Sequence, residues 1–155
     1  PASLDESTDE QFGRVLETNI AGTARVARAF LPALREAAGS LVVLSGIGGT
    51  AGTVDTSYAA SKAALHGFVR ALAREVDPDG VRVNALAPGP VDTSLNNTII
   101  EYLESTEFLG HEGIDTHLPE YRCAPAEVAR SIAYLVDSEF THSEIHCVNG
   151  GMHFR

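Results

Sequence analysis

The apolar run Leu41-Val42-Val43-Leu44 constrains this chain most. Its residues do not alternate with polar ones. They fit a strand buried on both faces, as strands of a parallel sheet are. A glycine-rich turn over residues 46–52 follows at once. Helical spacing covers about 57–76, and Pro78-Asp79-Gly80 makes a turn. Val81-Arg82-Val83-Asn84-Ala85-Leu86 is the next strand, ending in Ala87-Pro88-Gly89-Pro90. Strand, helix and strand in this order read as a right-handed parallel unit of an α/β layer fold. Ligands of such sheets sit beyond the carboxyl ends of the strands. Chemistry is therefore expected in the turns after Leu44 and Leu86.

The flanking segments extend this pattern. A long helix is expected over about 8–38, with overlapping capping boxes Ser7-x-x-Glu10 and Thr8-x-x-Gln11. Pro32 is expected to bend its last turns and Gly39 to stop it. Residues 92–122 read as irregular, mixing polar and aromatic side chains. Pro125-Ala126-Glu127 opens a helix to about 137, and Glu144-Ile145-His146-Cys147-Val148 is a last strand before Asn149-Gly150-Gly151.

Composition narrows the partners. The 155 residues hold 21 acids against 11 bases, for a net charge of −10. Such a surface repels phosphate backbones, which argues against nucleic acid. Lys62 is the only lysine. An acidic, lysine-poor surface fits a salt-loving source or a GC-rich genome equally well. No apolar run approaches the roughly 18–20 residues a membrane span needs, and Pro1-Ala2-Ser3-Leu4-Asp5-Glu6 does not read as a signal peptide. Cys123 and Cys147 make no disulfide framework; Cys147 reads as a small buried side chain, and the cytoplasm is the expected compartment.

Tyr58-Ala59-Ala60-Ser61-Lys62 carries the main chemical signal. Tyrosine and lysine at i and i+4 share one helix face. A free phenol has a pKa of about 10. An ammonium about 4 Å away favours phenolate by ~4 kcal/mol at an effective dielectric near 20. That is up to ~3 pKa units, opposed in part by desolvation. The outcome expected is a tyrosine poised to exchange a proton with a substrate oxygen. Ser45, 13 residues before Tyr58 at a strand end, is placed to hydrogen-bond that oxygen.

These segments together resemble the short-chain dehydrogenase/reductase family. Thr18-Asn19-Ile20-Ala21-Gly22 is similar to its Asn-x-x-Gly segment, and Gly39 through Ser45 to its strand ending in the catalytic serine. Tyr58-Ala59-Ala60-Ser61-Lys62-Ala63-Ala64-Leu65 is similar to its signature helix. Val81 through Thr93 resembles its nicotinamide-side strand and turn; Pro125-Ala126-Glu127-Val128-Ala129 and Val148-Asn149-Gly150-Gly151 resemble its last helix and closing strand. The resemblance implies a Rossmann-like doubly wound parallel sheet and hydride transfer between NAD or NADP and a small alcohol or carbonyl. It implies Tyr58 as general acid/base, Ser45 as oxyanion support, and Lys62 on the ribose hydroxyls. It further implies Asn19 positioning a relay water, and Pro88, Gly89, Val91 and Thr93 lining the nicotinamide. Residues 93–122 take the place of the substrate lid, and the long helix and Tyr58 helix would build a homodimer or homotetramer.

Two departures stand out. Aligned on its turn, the chain puts Gly46 where the family's serine sits; aligned on the distance to Tyr58, Ser45 fits and is preferred. The family's N-terminal strand-turn-helix, which binds pyrophosphate and adenosine, is not found in this sequence. Gly46-Ile47-Gly48-Gly49-Thr50-Ala51 matches G-x-G-x-x-A formally, but no helix opens at once and His66, not an acid, lies 20 residues on. His111, Glu112, Asp115 and His117 lack the spacing that converges metal ligands. A catalytically silent chain acting through oligomer or partner contacts is the alternative, and a lyase or epimerase on the same scaffold a third.

Overall fold

The computed structural model describes residues 2–53, 55–105 and 122–152. Three strands, β1 (Ser40–Leu44), β2 (Arg82–Pro88) and β3 (Ile145–Val148), form a parallel sheet in the order β1-β2-β3. The α/β class and parallel pairing expected from the apolar runs are those observed.

Helices cover both faces. On one lie α1 (Asp9–Leu16), α2 (Gly22–Ala37) and α3 (Thr56–Val76); α5 (Pro125–Asp137) covers the other. The main core joins Ala27 of α2, Leu65, Val69, Leu72, Ala73 and Val76 of α3, and Val43, Val83 and Ala85 of the sheet. Val83 and Ala85 share one face of β2, as period-two alternation requires. Asn84, between them, is fully buried; it donates to Thr141 O at 2.8 Å and accepts from Glu144 N at 3.0 Å. That pair fixes the entry to β3. On the opposite layer the Arg82 guanidinium donates to the carbonyls of Leu135, Val136 and Ser138, closing the C-terminal end of α5.

The long helix is not continuous. Thr8 caps α1 with the expected Gln11 box, but residues Glu17–Ala21 form a π turn between α1 and α2. The irregularity therefore falls at Asn19, and Pro32 lies inside α2. Ala38, not Gly39, takes the left-handed conformation at the helix end, at φ 45 and ψ 47. Gly39 N then bonds Leu34 O at 2.9 Å, closing the last turn. The stretch read as irregular contains a helix, α4 (Ser94–Ser105). Cys147 is only partly buried. No helix among the described residues is long and apolar enough to cross a membrane.

Candidate active site

Asp55 organises the start of α3. Its Oδ1 accepts from Tyr58 N at 3.0 Å and from Ser57 Oγ at 2.6 Å. This N-cap satisfies an orphan donor and fixes where Tyr58 leaves the helix. Lys62 lies one turn on, with Nζ 5.5 Å from the Tyr58 ring centroid. Nζ donates to Leu44 O at 3.1 Å, so the lysine is anchored on the carboxyl end of β1. Lys62 makes no ion pair among the described residues, and Tyr58 Oη makes no hydrogen bond there. Tyr58 is 37% exposed.

Ser45 does not join this group. Its side chain is buried, 5% exposed, on the α3 side of the strand end. Oγ donates to Lys62 O at 3.1 Å and lies 2.7 Å from His66 Nε2. With the hydroxyl proton on the carbonyl, Nε2 of a neutral His66 is the donor to Oγ. The hydroxyl expected at the substrate oxygen is thus engaged inside the fold: successive residues of an extended chain point to opposite sides, and Ser45 has the inner one. Gly46 has the outer one. A Cβ on Gly46 would lie 3.5 Å from Tyr58 Oη, 3.9 Å from Pro88 O and 4.0 Å from Lys62 Cγ.

The turn that follows presses on α3. A Cβ on Gly49 would come within 2.7 Å of the Lys62 backbone carbon, a contact no side chain allows. Gly49 thus serves close packing against the lysine backbone, and α3 opens only at Thr56, well after it.

Burial sets the electrostatics. It pushes the Tyr58 phenol above its ordinary value and pulls the Lys62 ammonium below its own. The lowering of the Tyr58 pKa expected from the neighbouring charge is not what this arrangement produces. Lys62 Nζ stands over the ring and is bound to a carbonyl, while desolvation disfavours the phenolate.

Asn19 lies in the π turn behind α3. Its Nδ2 donates to Ser61 Oγ at 2.9 Å, and Ser61 Oγ donates to Tyr58 O at 2.7 Å. Its carbonyl oxygen accepts from Thr23 Oγ1 at 2.7 Å. Asn19 is thereby tied to the backbone of the tyrosine helix. π turns of this kind recur where a helix must present a group out of register.

The turn after β2 is held on both sides. Gly89 N bonds Val148 O at 2.9 Å, and a Cβ on Gly89 would stand 2.9 Å from Asn149 Cα. Val91 bridges Cys123; Cys123 N bonds Pro90 O and Asp92 N bonds Cys123 O, both at 3.0 Å. Arg122 reaches Asp92 at 3.2 Å and Asn97 Oδ1 at 2.6 Å. Pro88 O thus lies beside Gly46 with the Tyr58 group, and Gly89, Val91 and Thr93 follow it on a braced loop. His111, Glu112, Asp115 and His117 lie outside the described residues, as does most of the expected lid. No group of three or more His, Cys, Asp or Glu among the described residues is arranged to hold a metal.

His66 is the contributor that sequence reasoning missed. The signal was present: residues 58, 62 and 66 repeat at spacing four along one helix. Burial and the nearby Arg70 charge hold its pKa below the usual histidine value, which suits the neutral ring in the Ser45 contact.

Comparison with known proteins matches this geometry. Residues 1–153 match the family model described as enoyl-(acyl carrier protein) reductase. Acetoacetyl-CoA reductase of Synechocystis is 36% identical over 152 residues, covering 94% of this chain and 60% of the relative. The 3-oxoacyl-[acyl-carrier-protein] reductase FabG of Salmonella typhimurium is 32% identical, covering 94% of this chain and 59% of the relative. The chain thus spans about three fifths of the length of these relatives. Among solved structures, an NAD-bound short-chain dehydrogenase from Mycobacterium paratuberculosis superposes with a TM-score of 0.90 at 27% identity, covering 100% of this chain and 60% of that one. A Pseudomonas aeruginosa short-chain oxidoreductase, described as containing an atypical catalytic center, superposes at 0.81 and 27% identity, covering 97% and 60%. A parallel sheet carrying a tyrosine–lysine helix beside the carboxyl ends of two strands, matched along nearly its whole length, makes this chain a member of the short-chain dehydrogenase/reductase family.

Proposed function

We propose that the protein is an NAD(P)-dependent oxidoreductase interconverting a small carbonyl compound and its alcohol. The observation that carries this reading is the grouping of Tyr58 Oη, Lys62 and Pro88 around Gly46 at the ends of β1 and β2. Tyr58 is the general acid in reduction: its proton goes to the carbonyl oxygen as a hydride adds to the carbonyl carbon, and an alcohol results. The nicotinamide, when bound, supplies or takes up that hydride. Oxidation runs the same steps backwards, with Tyr58 as base.

The donor set suits the cofactor. Lys62 spends one bond on Leu44 O and has two N–H groups left for ribose hydroxyls. Pro88, Gly89, Val91 and Thr93 present backbone and a hydroxyl on the loop where the nicotinamide would lie. Asn19, through Ser61, holds the tyrosine helix in place. Relatives named for 3-oxoacyl and acetoacetyl thioester reduction make such thioesters the first substrates to try.

Self-association through α2 and α3 belongs to the same reading. Val26 and Phe30, at i and i+4 on α2, are 57% and 60% exposed. Exposed residues of α3 are mostly small, Ala60, Ala64, Gly67 and Ala71 among them, which lets helices approach closely. Phe30→Glu is expected to shift the mass measured by light scattering towards monomer.

The deciding experiment is fluorescence titration with NADH and NADPH, followed by acetoacetyl-CoA reduction with Tyr58→Phe as control. Binding with tyrosine-dependent turnover supports the oxidoreductase. Binding of neither nucleotide sinks it in favour of a silent relative acting through its contacts.

A further inference from the structure

Two adjacent residues at the end of β1 have exchanged the duties the family resemblance assigns there. We propose that Gly46 is the site-facing position just past β1, and that proton transfer runs on Tyr58 and Lys62 without a hydroxyl from this strand end. Ser45 is a structural clamp. The inference rests on the oxidoreductase reading above but concerns which position faces Tyr58.

The geometry is specific on both residues. The Ser45 hydroxyl is buried and already engaged twice, by the Lys62 carbonyl and by His66 Nε2. Releasing it towards Tyr58 would leave a buried histidine nitrogen unpaired. Neighbouring hydroxyls are engaged too: Ser57 on Asp55, Ser61 on Tyr58 O, and Thr50 on Ile47 O. Gly46, by contrast, faces Tyr58 Oη and Pro88 O across ordinary van der Waals distances, 3.5 and 3.9 Å from its would-be Cβ. Its φ of 169 and ψ of 167 are extended backbone open to any residue. A serine therefore fits at 46 with no backbone change, and its Oγ comes within hydrogen-bond reach of Tyr58 Oη.

The consequence concerns the reacting oxygen. Preorganised donors at a developing oxyanion are worth much of an enzyme's rate. Here β1 offers none, so Tyr58 is the donor this end of the site supplies. The charged group facing the phenol is Lys62 on its own helix; β1 and β2 contribute backbone, and Asp55 is turned to the helix N-terminus.

The test needs neither cofactor nor turnover. Tyr58 ionisation is followed by ultraviolet tyrosinate absorbance, as the difference between each protein and its Tyr58→Phe counterpart. Gly46→Ser is expected to lower the Tyr58 midpoint by roughly half to one pH unit, because a hydroxyl bonds phenolate more strongly than phenol. Gly46→Ala, which adds volume without a donor, is expected not to lower it. Ser45→Ala is expected to leave the midpoint in place while reducing the melting temperature. A midpoint unmoved in Gly46→Ser, or raised in Ser45→Ala, overturns the assignment; if Ser45→Ala fails to fold, the serine–alanine comparison at 46 decides alone. In turnover, Gly46→Ser is expected to raise kcat for carbonyl reduction about tenfold or more, up to the roughly 10²–10³ an oxyanion donor is worth. Complete absence of turnover in every variant sinks the oxidoreductase reading, and the titration still decides which residue faces Tyr58.

Discussion

The two sides of α3 near its start are built on opposite rules. On the buried side these polar groups are paired: Asn19 with Ser61, Ser61 with Tyr58 O, Ser45 with Lys62 O and His66. In front, Tyr58 Oη has no hydrogen bond among the described residues and Lys62 has one. Unpaired polar groups cost stability when desolvated, so a fold keeps few of them. The front of α3 holds one, Tyr58 Oη, beside an ammonium with N–H groups to spare, and burial already works against the charged form of both. The paired side keeps the helix in place; the unpaired side is free to bond something else. That contrast, more than the tyrosine–lysine spacing, supports the front as the proposed reactive face.

The largest effect expected comes from the front. Tyr58→Phe should lower carbonyl reduction by about 10²–10⁴-fold, the worth of a general acid, with little change in melting temperature, because Oη holds no bond among the described residues. The pH profile carries the same sign. Burial raises the Tyr58 pKa, so the protonated acid persists above pH 10. Reduction should stay level to that range and fall beyond it, whereas oxidation, which needs phenolate, should climb as pH rises towards it. A tyrosine variant that loses stability and keeps its rate would reverse the two sides. Lys62→Met should come next, with reduction down about 10²-fold. Its melting temperature should hold or rise, since desolvation disfavours the ammonium it removes.

How much of this was legible in the sequence follows from the same contrast. Strands and helices were legible because apolar continuity and spacing report burial against the sheet. Leu41 to Leu44 and the α3 pattern needed nothing beyond the segment itself. The break at residues 17–21 was not legible, because a π turn leaves the apolar spacing nearly intact and shows only in the hydrogen bonds. Helix α4 was missed among polar residues that carry weak periodicity. In the site, Tyr58 and Lys62 could be paired because one helix fixes their relation. Ser45 could not be placed, because a one-residue slip at a strand end turns a side chain to the opposite side. Counting to Tyr58 favoured Ser45, and the shape of the turn favoured Gly46. The partners of Ser45, Lys62 O and His66, together with the approach of Gly46 to Tyr58 Oη, separate the two.

The rear of the helix should respond in stability, not in chemistry. Ser45→Ala removes the acceptor of His66 Nε2 and leaves a buried nitrogen unpaired, which should cost about 1–3 kcal/mol in denaturant unfolding. Asn19→Ala removes one partner of the buried Ser61 hydroxyl, which still bonds Tyr58 O, so its cost should be nearer 1 kcal/mol. Loss of turnover in Ser45→Ala without loss of stability would restore that serine to the reactive face and dissolve the comparison.

The smallest effect expected is a pH dependence on the same side. Burial and Arg70 hold the folded-state pKa of His66 below the 6.5 of a free imidazole. A group depressed on folding contributes stability that is present above its unfolded pKa and lost as pH falls through its folded pKa. Melting temperature should therefore decline as pH is lowered from about 6.5, beyond what carboxylate protonation explains at lower pH. His66→Gln cannot take up a proton, so it should flatten that part of the curve. Its amide keeps a donor near Ser45 Oγ, so stability at neutral pH should change little. A curve unchanged by His66→Gln would mean that the imidazole ionises in place, and that the rear of α3 is more open than its hydrogen bonds imply.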